Sequence, residues 1–362
     1  MSVTRMKRGP GGRCLAAAGI TLLTFAAVAC TDSGGSGPAT SAGSSATASS
    51  PVPASGAASS LEGQYEQVVS RVLPSVVQLS TDSGSGSGVV YDTKGDIVTN
   101  AHVVGAATTV QVGLASGGRP VAADVVGVFA PDDLAVVRVK GGAGSLHPAS
   151  FGRSASVRPG EIVLAMGNPL GLTGTVTDGI VSATGRTVSE GEGSSAVLIS
   201  AIQTSAAINP GNSGGALVNL AGQVIGIPTL AATDPQLGGA AAGIGFAIPS
   251  DTVTSIAAQL IATGKVTSSG RASLGISAQT VADAAGQPAG VGVVAVTPGG
   301  AAAGAGIQPG DIITALAGQP VTSLAAMQSV LAAHKPGDRV QARISRGGDE
   351  STVTVTLGSL TS

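Results

Sequence analysis

Short apolar runs separated by turn residues fill the middle of this chain. Val- and Ile-rich segments recur at 75–79, 89–91, 96–98, 109–112, 161–165, 197–199 and 223–227, bounded by Gly, Asn, Asp, Pro or Ser. Runs of that length between turn residues predict the strands of a sandwich or barrel, not helices. Helical periodicity is nearly absent until 250–261, which predicts one helix, capped at its start by Ser250 or Asp251 and ended by Gly264. A second, smaller unit follows, with a helix expected at 324–333 that carries Met327, Val330 and Leu331 on one apolar face. Apolar residues at that spacing usually pack a core.

The amino-terminal 60 residues break this pattern. Arg5, Lys7, Arg8 and Arg13 precede a 15-residue apolar run at 15–29. Such a run is short for a bilayer span and has the length of a signal-peptide core, so export is expected. It ends in Ala27-Val28-Ala29-Cys30, which resembles a bacterial lipobox and makes 1–30 a lipoprotein-type signal peptide with Cys30 as the lipidated residue. The expected location is then extracytoplasmic, in a bacterial cell envelope, with the membrane as a partner through that anchor. Plain signal cleavage after the small residues is the alternative. The only cysteines are Cys14 and Cys30, so no internal disulfide is expected in the processed chain. Residues 31–60 are almost wholly Ser, Ala, Gly, Thr and Pro. They are too poor in large apolar groups to fold and read as a disordered tether, spanning roughly 30 Å as a coil.

Candidate chemistry lies in the β-rich middle. In Ile208-Asn209-Pro210-Gly211-Asn212-Ser213-Gly214-Gly215 a serine hydroxyl sits in a glycine-flanked turn. A hydroxyl that attacks a carbonyl needs a base, and the tetrahedral intermediate needs donors for its oxygen. The N–H groups of Gly211 and Ser213 are candidates for those donors. His102, one of three histidines, ends the apolar run of Ile97-Val98-Thr99-Asn100-Ala101-His102 and is the candidate base. The candidate acid comes from Pro131-Asp132-Asp133-Leu134. Asp133 abuts the strand-like run and is expected to be buried against an imidazole, whereas Asp132 is expected in the turn, as a cap or a solvated charge. Taken singly, each residue has a plain reading: a satisfied histidine, a strand-end acid, a turn hydroxyl. Taken together, they stand in the chain order of a chymotrypsin-type triad. His147 and His334 are given no role.

Thr99-Asn100-Ala101-His102-Val103-Val104, Asp133-Leu134-Ala135-Val136, Gln203-Thr204 and Asn209-Pro210-Gly211-Asn212-Ser213-Gly214-Gly215 together resemble the HtrA (Deg) family of serine proteases. Gly167-Asn168-Pro169 and Gly245-Phe246-Ala247-Ile248-Pro249 extend the likeness, which runs over about 65–358. The resemblance implies a mainly β protein: a chymotrypsin-like double β-barrel over 61–264, with His102, Asp133 and Ser213 in the cleft between barrels. It implies an oxyanion hole from Gly211 and Ser213, and Ala207, six residues before the nucleophile, as the floor of the S1 pocket. An apolar floor favours small or medium aliphatic residues at the scissile position. After a linker at 265–270, the chain resembles a small α+β PDZ domain over 271–360, in which Leu274, Gly275 and Ile276 match the loop that takes a peptide's terminal carboxylate. A homotrimer is also implied. The chain departs from the family at Ser205, where an acid is common, and at Ala216, where proline is common.

Charge narrows the partners. The net charge is −2, and it becomes −6 once the four basic residues of the signal are removed. No cationic stripe points to nucleic acid. No cofactor and no metal are expected. The functional expectation is an exported serine endopeptidase acting on misfolded or regulatory envelope proteins, with peptide C-termini captured by the PDZ domain. The alternative class is a peptide-binding chaperone whose protease site is latent.

Overall fold

The computed structural model describes residues 56–362, apart from 83, 115–116, 142–143, 145, 169–173, 190–196, 210 and 235–238. The signal segment, Cys30 and residues 31–55 of the tether lie outside the described residues.

A helix not expected from the sequence comes first. Helix α1 (Gly56–Val72) starts inside the stretch assigned to the tether, so 56–60 belong to the folded unit. Its first five residues are Gly, Ala and Ser and resemble the linker, but Tyr65, Val68, Val69 and Val72 recur at helical spacing and pack on the main core. Tyr65 is thereby half-buried against the protein's own core.

Two closed six-stranded barrels follow. The first consists of β1 (Val76–Thr81), β2 (Gly84–Val90), β3 (Asp96–Thr99), β4 (Thr109–Gly113), β5 (Val121–Phe129) and β6 (Leu134–Val139), in the order β1-β2-β3-β6-β5-β4. Between β3 and β4 lies a four-residue helix, α2 (Ala101–Val104). The second barrel consists of β7 (Ile162–Gly167), β8 (Thr175–Ser189), β9 (Val197–Thr204), β10 (Ala216–Asn219), β11 (Val224–Asp234) and β12 (Gly239–Pro249), in the order β10-β11-β12-β9-β8-β7. Each barrel is filled by its own Val, Leu and Ile side chains: Val77, Leu79, Ile97 and Val137 in the first, and Val163, Ile202, Leu217 and Ile225 in the second. A larger cluster that includes Phe129, Met166, Phe246 and Leu260 joins the barrels to α1 and to the closing helix α3 (Ser250–Thr263). Helix α3 ends on Gly264 at φ +71°, as its sequence predicts. Its start differs from the expectation. Ser250 Oγ donates to the Gly152 carbonyl at 2.7 Å and the Asp251 carboxylate accepts from the Ala155 N–H at 2.9 Å, so both side chains tie the helix to a neighbouring loop instead of capping it.

The second unit is a sheet of β14 (Ile276–Ala282), β15 (Pro288–Val296), β16 (Ile312–Leu316), β17 (Gln319–Pro320), β18 (Arg339–Arg346) and β19 (Asp349–Thr356), with β14 at its edge. A short pair, β13 (Ala272–Ser273) with β20 (Gly358–Ser359), and two helices, α4 (Ala301–Gly304) and α5 (Leu324–Ala332), complete it. The 265–270 segment is held in place: Val266 is buried, donates to Ser362 Oγ at 2.9 Å and accepts from the Ser362 N–H at 2.9 Å.

Candidate active site

The site is built where the end of β3 meets the start of β6. Asp133 adopts the left-handed backbone region at φ +49°, which Asp tolerates better than most residues. That turn presents its carbonyl to Asn100 Nδ2 at 3.0 Å and to the Ala101 N–H at 3.1 Å. The same residue's carboxylate accepts the His102 backbone N–H on Oδ1 at 2.9 Å and faces His102 Nδ1 through Oδ2 at 2.8 Å. Asp133 is buried while the imidazole is 44% exposed, so the ring is anchored on one side and open to solvent on the other.

The turn that carries Ser213 enters from the second barrel, between β9 and β10. Ser213 Oγ donates to the Thr229 carbonyl at 3.2 Å, and Thr229 Oγ1 donates to Asp133 Oδ2 at 2.5 Å. Thr229 therefore touches both the serine and the acid. Sequence reasoning missed it; the available signal was a buried hydroxyl inside the apolar run of β11. Gly214, at φ +81°, must be glycine: a Cβ there would lie 2.2 Å from the Ser87 carbonyl oxygen and 2.5 Å from Thr99 Oγ1. The turn thus rests directly on the backbone of the first barrel.

The hydrogen bonds of the turn alternate. The carbonyls of Gly211, Asn212 and Ser213 accept from Ser87 Oγ, the Gly215 N–H and the Ser87 N–H, while the N–H groups of Asn212 and Gly214 donate to Asn209 and Pro228 carbonyls. Among the described residues, the N–H groups of Gly211 and Ser213 have no hydrogen-bond partner. Ala207 lies nearby: its carbonyl accepts from Asn212 Nδ2 at 3.1 Å and from Thr177 Oγ1 at 2.9 Å. Ser205, where the chain departs from the family pattern, accepts the Ile180 N–H on its hydroxyl at 3.0 Å. Among the described residues no group of His, Cys, Asp or Glu is arranged to hold a metal ion.

Asp132 corrects the sequence reading. It is buried, 3% exposed, and paired with Arg271 Nη1 at 2.6 Å; the same nitrogen donates to the Pro131 carbonyl at 2.7 Å. Burial pushes its carboxyl above the usual range, and the Arg271 guanidinium only partly offsets that. Arg271 opens the second unit, so Asp132 ties that unit to the barrel beside Asp133. A sequence offers no way to see a partner 139 residues away.

Leu274, Gly275 and Ile276 line a groove together with Leu324, Met327 and Leu331 of α5. Met327 and Val330 are buried in the core of the second unit, as their spacing suggests, but Met327 and Leu331 also face the groove. Pro131 and Ile199 of the barrels and Arg271 border it too.

Comparison with known proteins agrees with this geometry. Residues 86–227 match the family described as trypsin-like peptidase domain, and 272–357 match the PDZ domain family. The chain is a trypsin-like serine protease carrying one carboxy-terminal PDZ domain. It is 43% identical to "Serine protease PepD" of Mycobacterium tuberculosis, over 86% of this chain and 69% of that protein. It is 41% identical to "Serine protease Do-like HtrA" of Lactobacillus helveticus, over 75% of this chain and 68% of that protein. A solved structure, "HtrA-type protease AlgWS227A with decapeptide", superposes with a TM-score of 0.56 at 32% identity, covering 82% of this chain and 97% of that one. The chain belongs to the HtrA family of serine proteases.

Proposed function

We propose that the protein is an exported endopeptidase that cleaves unfolded or regulatory envelope proteins with a triad of Ser213, His102 and Asp133. The observation that carries this reading is the pair of contacts from Asp133 to His102, at 2.9 Å to the backbone N–H and 2.8 Å to Nδ1. A buried carboxylate on Nδ1 keeps the proton on that nitrogen and leaves Nε2 as the base. His102 takes the Ser213 proton as Oγ attacks the scissile carbonyl, then passes it to the leaving amine. Asp133 stabilises the imidazolium in between. The two uncommitted N–H groups of the turn, on Gly211 and Ser213, receive the oxyanion. Ala207 floors the primary pocket and favours small aliphatic side chains. A second reading, a chaperone with a latent protease site, gains no support from a turn whose backbone already leaves both donors free.

Substrate chains ending in apolar residues are captured at the PDZ groove, by adding a strand to the β14 edge with their carboxylate against Leu274, Gly275 and Ile276. The chain covers 60% of the length of a 41% identical relative named "Periplasmic pH-dependent serine endoprotease DegQ" from Escherichia coli, in keeping with an extracytoplasmic protease. Incubating the full-length protein with unfolded β-casein and diisopropyl fluorophosphate tests the central reading. The expected result is casein cleavage that stops as one phosphoryl adduct appears on the peptide containing Ser213. An adduct elsewhere, or cleavage indifferent to the reagent, would refute it.

Cys30 anchors the processed chain to the membrane through its lipid. Cell fractionation should find the protein with membranes, and Cys30→Ser in the supernatant. A wild-type protein that is already soluble would overturn the anchor. Light scattering on the soluble variant reads the trimer that the family likeness implies, and a monomer at micromolar concentration would exclude it.

A further inference from the structure

Ser87 lies on β2 of the first barrel, 124 residues before Gly211 of the serine turn, and is wholly buried. It bonds to the turn that carries Ser213 through both its backbone and its side chain. Its N–H donates to the Ser213 carbonyl at 2.9 Å. Its carbonyl accepts Thr99 Oγ1 at 2.7 Å, next to the residues that lead into His102. Its hydroxyl accepts the Asn168 N–H at 2.8 Å and donates to the Gly211 carbonyl at 2.5 Å. A carbonyl can only accept, so the direction of that last bond is fixed.

The bond to Gly211 matters because of where it falls along the turn. The Gly211 carbonyl and the Asn212 N–H belong to one peptide plane, held on one side by Ser87 Oγ and on the other by the Asn209 carbonyl at 3.0 Å. This plane separates the peptide that carries the Gly211 N–H from the peptide that carries the Ser213 N–H. Its orientation sets the angle between those two donors. Gly211 is at φ +106°, with no side chain to restrict it, so the turn needs an outside tether to hold the plane. Without the Ser87 hydroxyl, the buried Asn168 N–H and the half-buried Gly211 carbonyl lose their partner, and a rotation of the plane lets the carbonyl find another.

We infer that Ser87 is a positioning residue of the oxyanion hole: its hydroxyl reaches across the barrel interface and fixes the peptide plane between the Gly211 and Ser213 donors. The inference rests on the triad and oxyanion reading proposed above.

The test compares full-length wild type, Ser87→Ala and Ser213→Ala on a fluorogenic peptide with a small aliphatic residue at the cleavage site. It adds inhibition by the matching peptide boronic acid, whose tetrahedral adduct places an oxygen in the hole. Removing one donor from such a hole lowers kcat by about 10²- to 10³-fold. Ser87→Ala should lower kcat by about 10²-fold at nearly unchanged KM, weaken the boronate by a similar factor, and lower Tm while leaving the protein folded with PDZ peptide binding near wild type. A kcat within threefold of wild type would overturn the inference. So would a rise in KM alone, or a fall in kcat without loss of boronate affinity. Turnover surviving in Ser213→Ala would instead strike the nucleophile assignment, which separates the two failures. If Ser87→Ala does not fold, Ser87→Cys, which keeps the volume and donates weakly, is judged by the same readouts.

Discussion

Ser213→Ala will lower peptide turnover by about six orders of magnitude while leaving the protein folded. The two halves of that statement come from different atoms. In the proposed mechanism catalysis uses Oγ, the atom removed. The fold uses the backbone of the turn, and those bonds remain: the Ser213 carbonyl with the Ser87 N–H at 2.9 Å, and the Gly214 N–H with the Pro228 carbonyl at 3.0 Å. The hydroxyl itself contributes a 3.2 Å bond to the Thr229 carbonyl in a half-buried position, and its loss costs about 1 kcal/mol. Residual rate above water, about 10³- to 10⁴-fold, would come from the oxyanion donors and substrate binding, which the substitution leaves in place. Turnover by the variant, thermal unfolding and titration with a peptide ending in Val-Ala are the three measurements. Stability lower by about 1 kcal/mol, wild-type PDZ affinity and abolished turnover are expected; turnover within a hundredfold of wild type would remove Ser213 from the mechanism.

The residues of the proposed triad could be singled out in the sequence because each has a local signature. His102 ends an apolar run, Asp133 precedes one, and Ser213 stands among glycines. Residues that position them have no such signature. Ser87 lies in Gly84-Ser85-Gly86-Ser87-Gly88, which reads as a loop, yet the stretch pairs with β1 from Thr81 to Val77 and forms most of β2. Glycine weakens a strand's intrinsic preference, and only tertiary packing restores it: a Cβ at Gly88 would lie 2.6 Å from Ile97 Cγ2. β10 is four residues long and β8 runs through Thr, Ser, Asp and Gly, so neither stands out as apolar. Helix α1 was hidden for the opposite reason, since its first turns share the composition of the tether and its apolar residues come late. The burial of Asp132 depends on Arg271 of the second unit, a long-range contact that no local pattern carries. Local pattern thus reports the groups proposed to do chemistry, and long-range hydrogen bonds decide how those groups are held.

The acid yields the sharpest separation between a charge and the geometry it maintains. Asp133→Asn should lower kcat/KM by about 10⁴-fold with little change in fold. Asparagine tolerates the left-handed backbone at φ +49° as aspartate does, so the turn that presents the side chain survives. The side-chain bonds do not. The carboxylate accepts three donors: the His102 N–H on Oδ1, and His102 Nδ1 and the Thr229 hydroxyl on Oδ2. An amide offers one acceptor and one donor group. With its oxygen toward the His102 N–H, its NH₂ faces Nδ1, which must then lose its proton; the proton moves to Nε2, and the ring can no longer accept from Ser213. With the oxygen toward Nδ1, the NH₂ faces the His102 N–H, leaving two buried donors opposed at a cost of about 1–3 kcal/mol and the imidazolium without its counter-charge. Either orientation disables the base. Steady-state kinetics on the fluorogenic peptide, with Tm measured on the same preparation, reads both effects. Asp132→Asn, which touches Arg271 and not the imidazole, is the control that keeps most of its turnover. A loss in that control equal to the loss in Asp133→Asn would mean that the acidic pair acts through the docking of the PDZ domain and not through the ring.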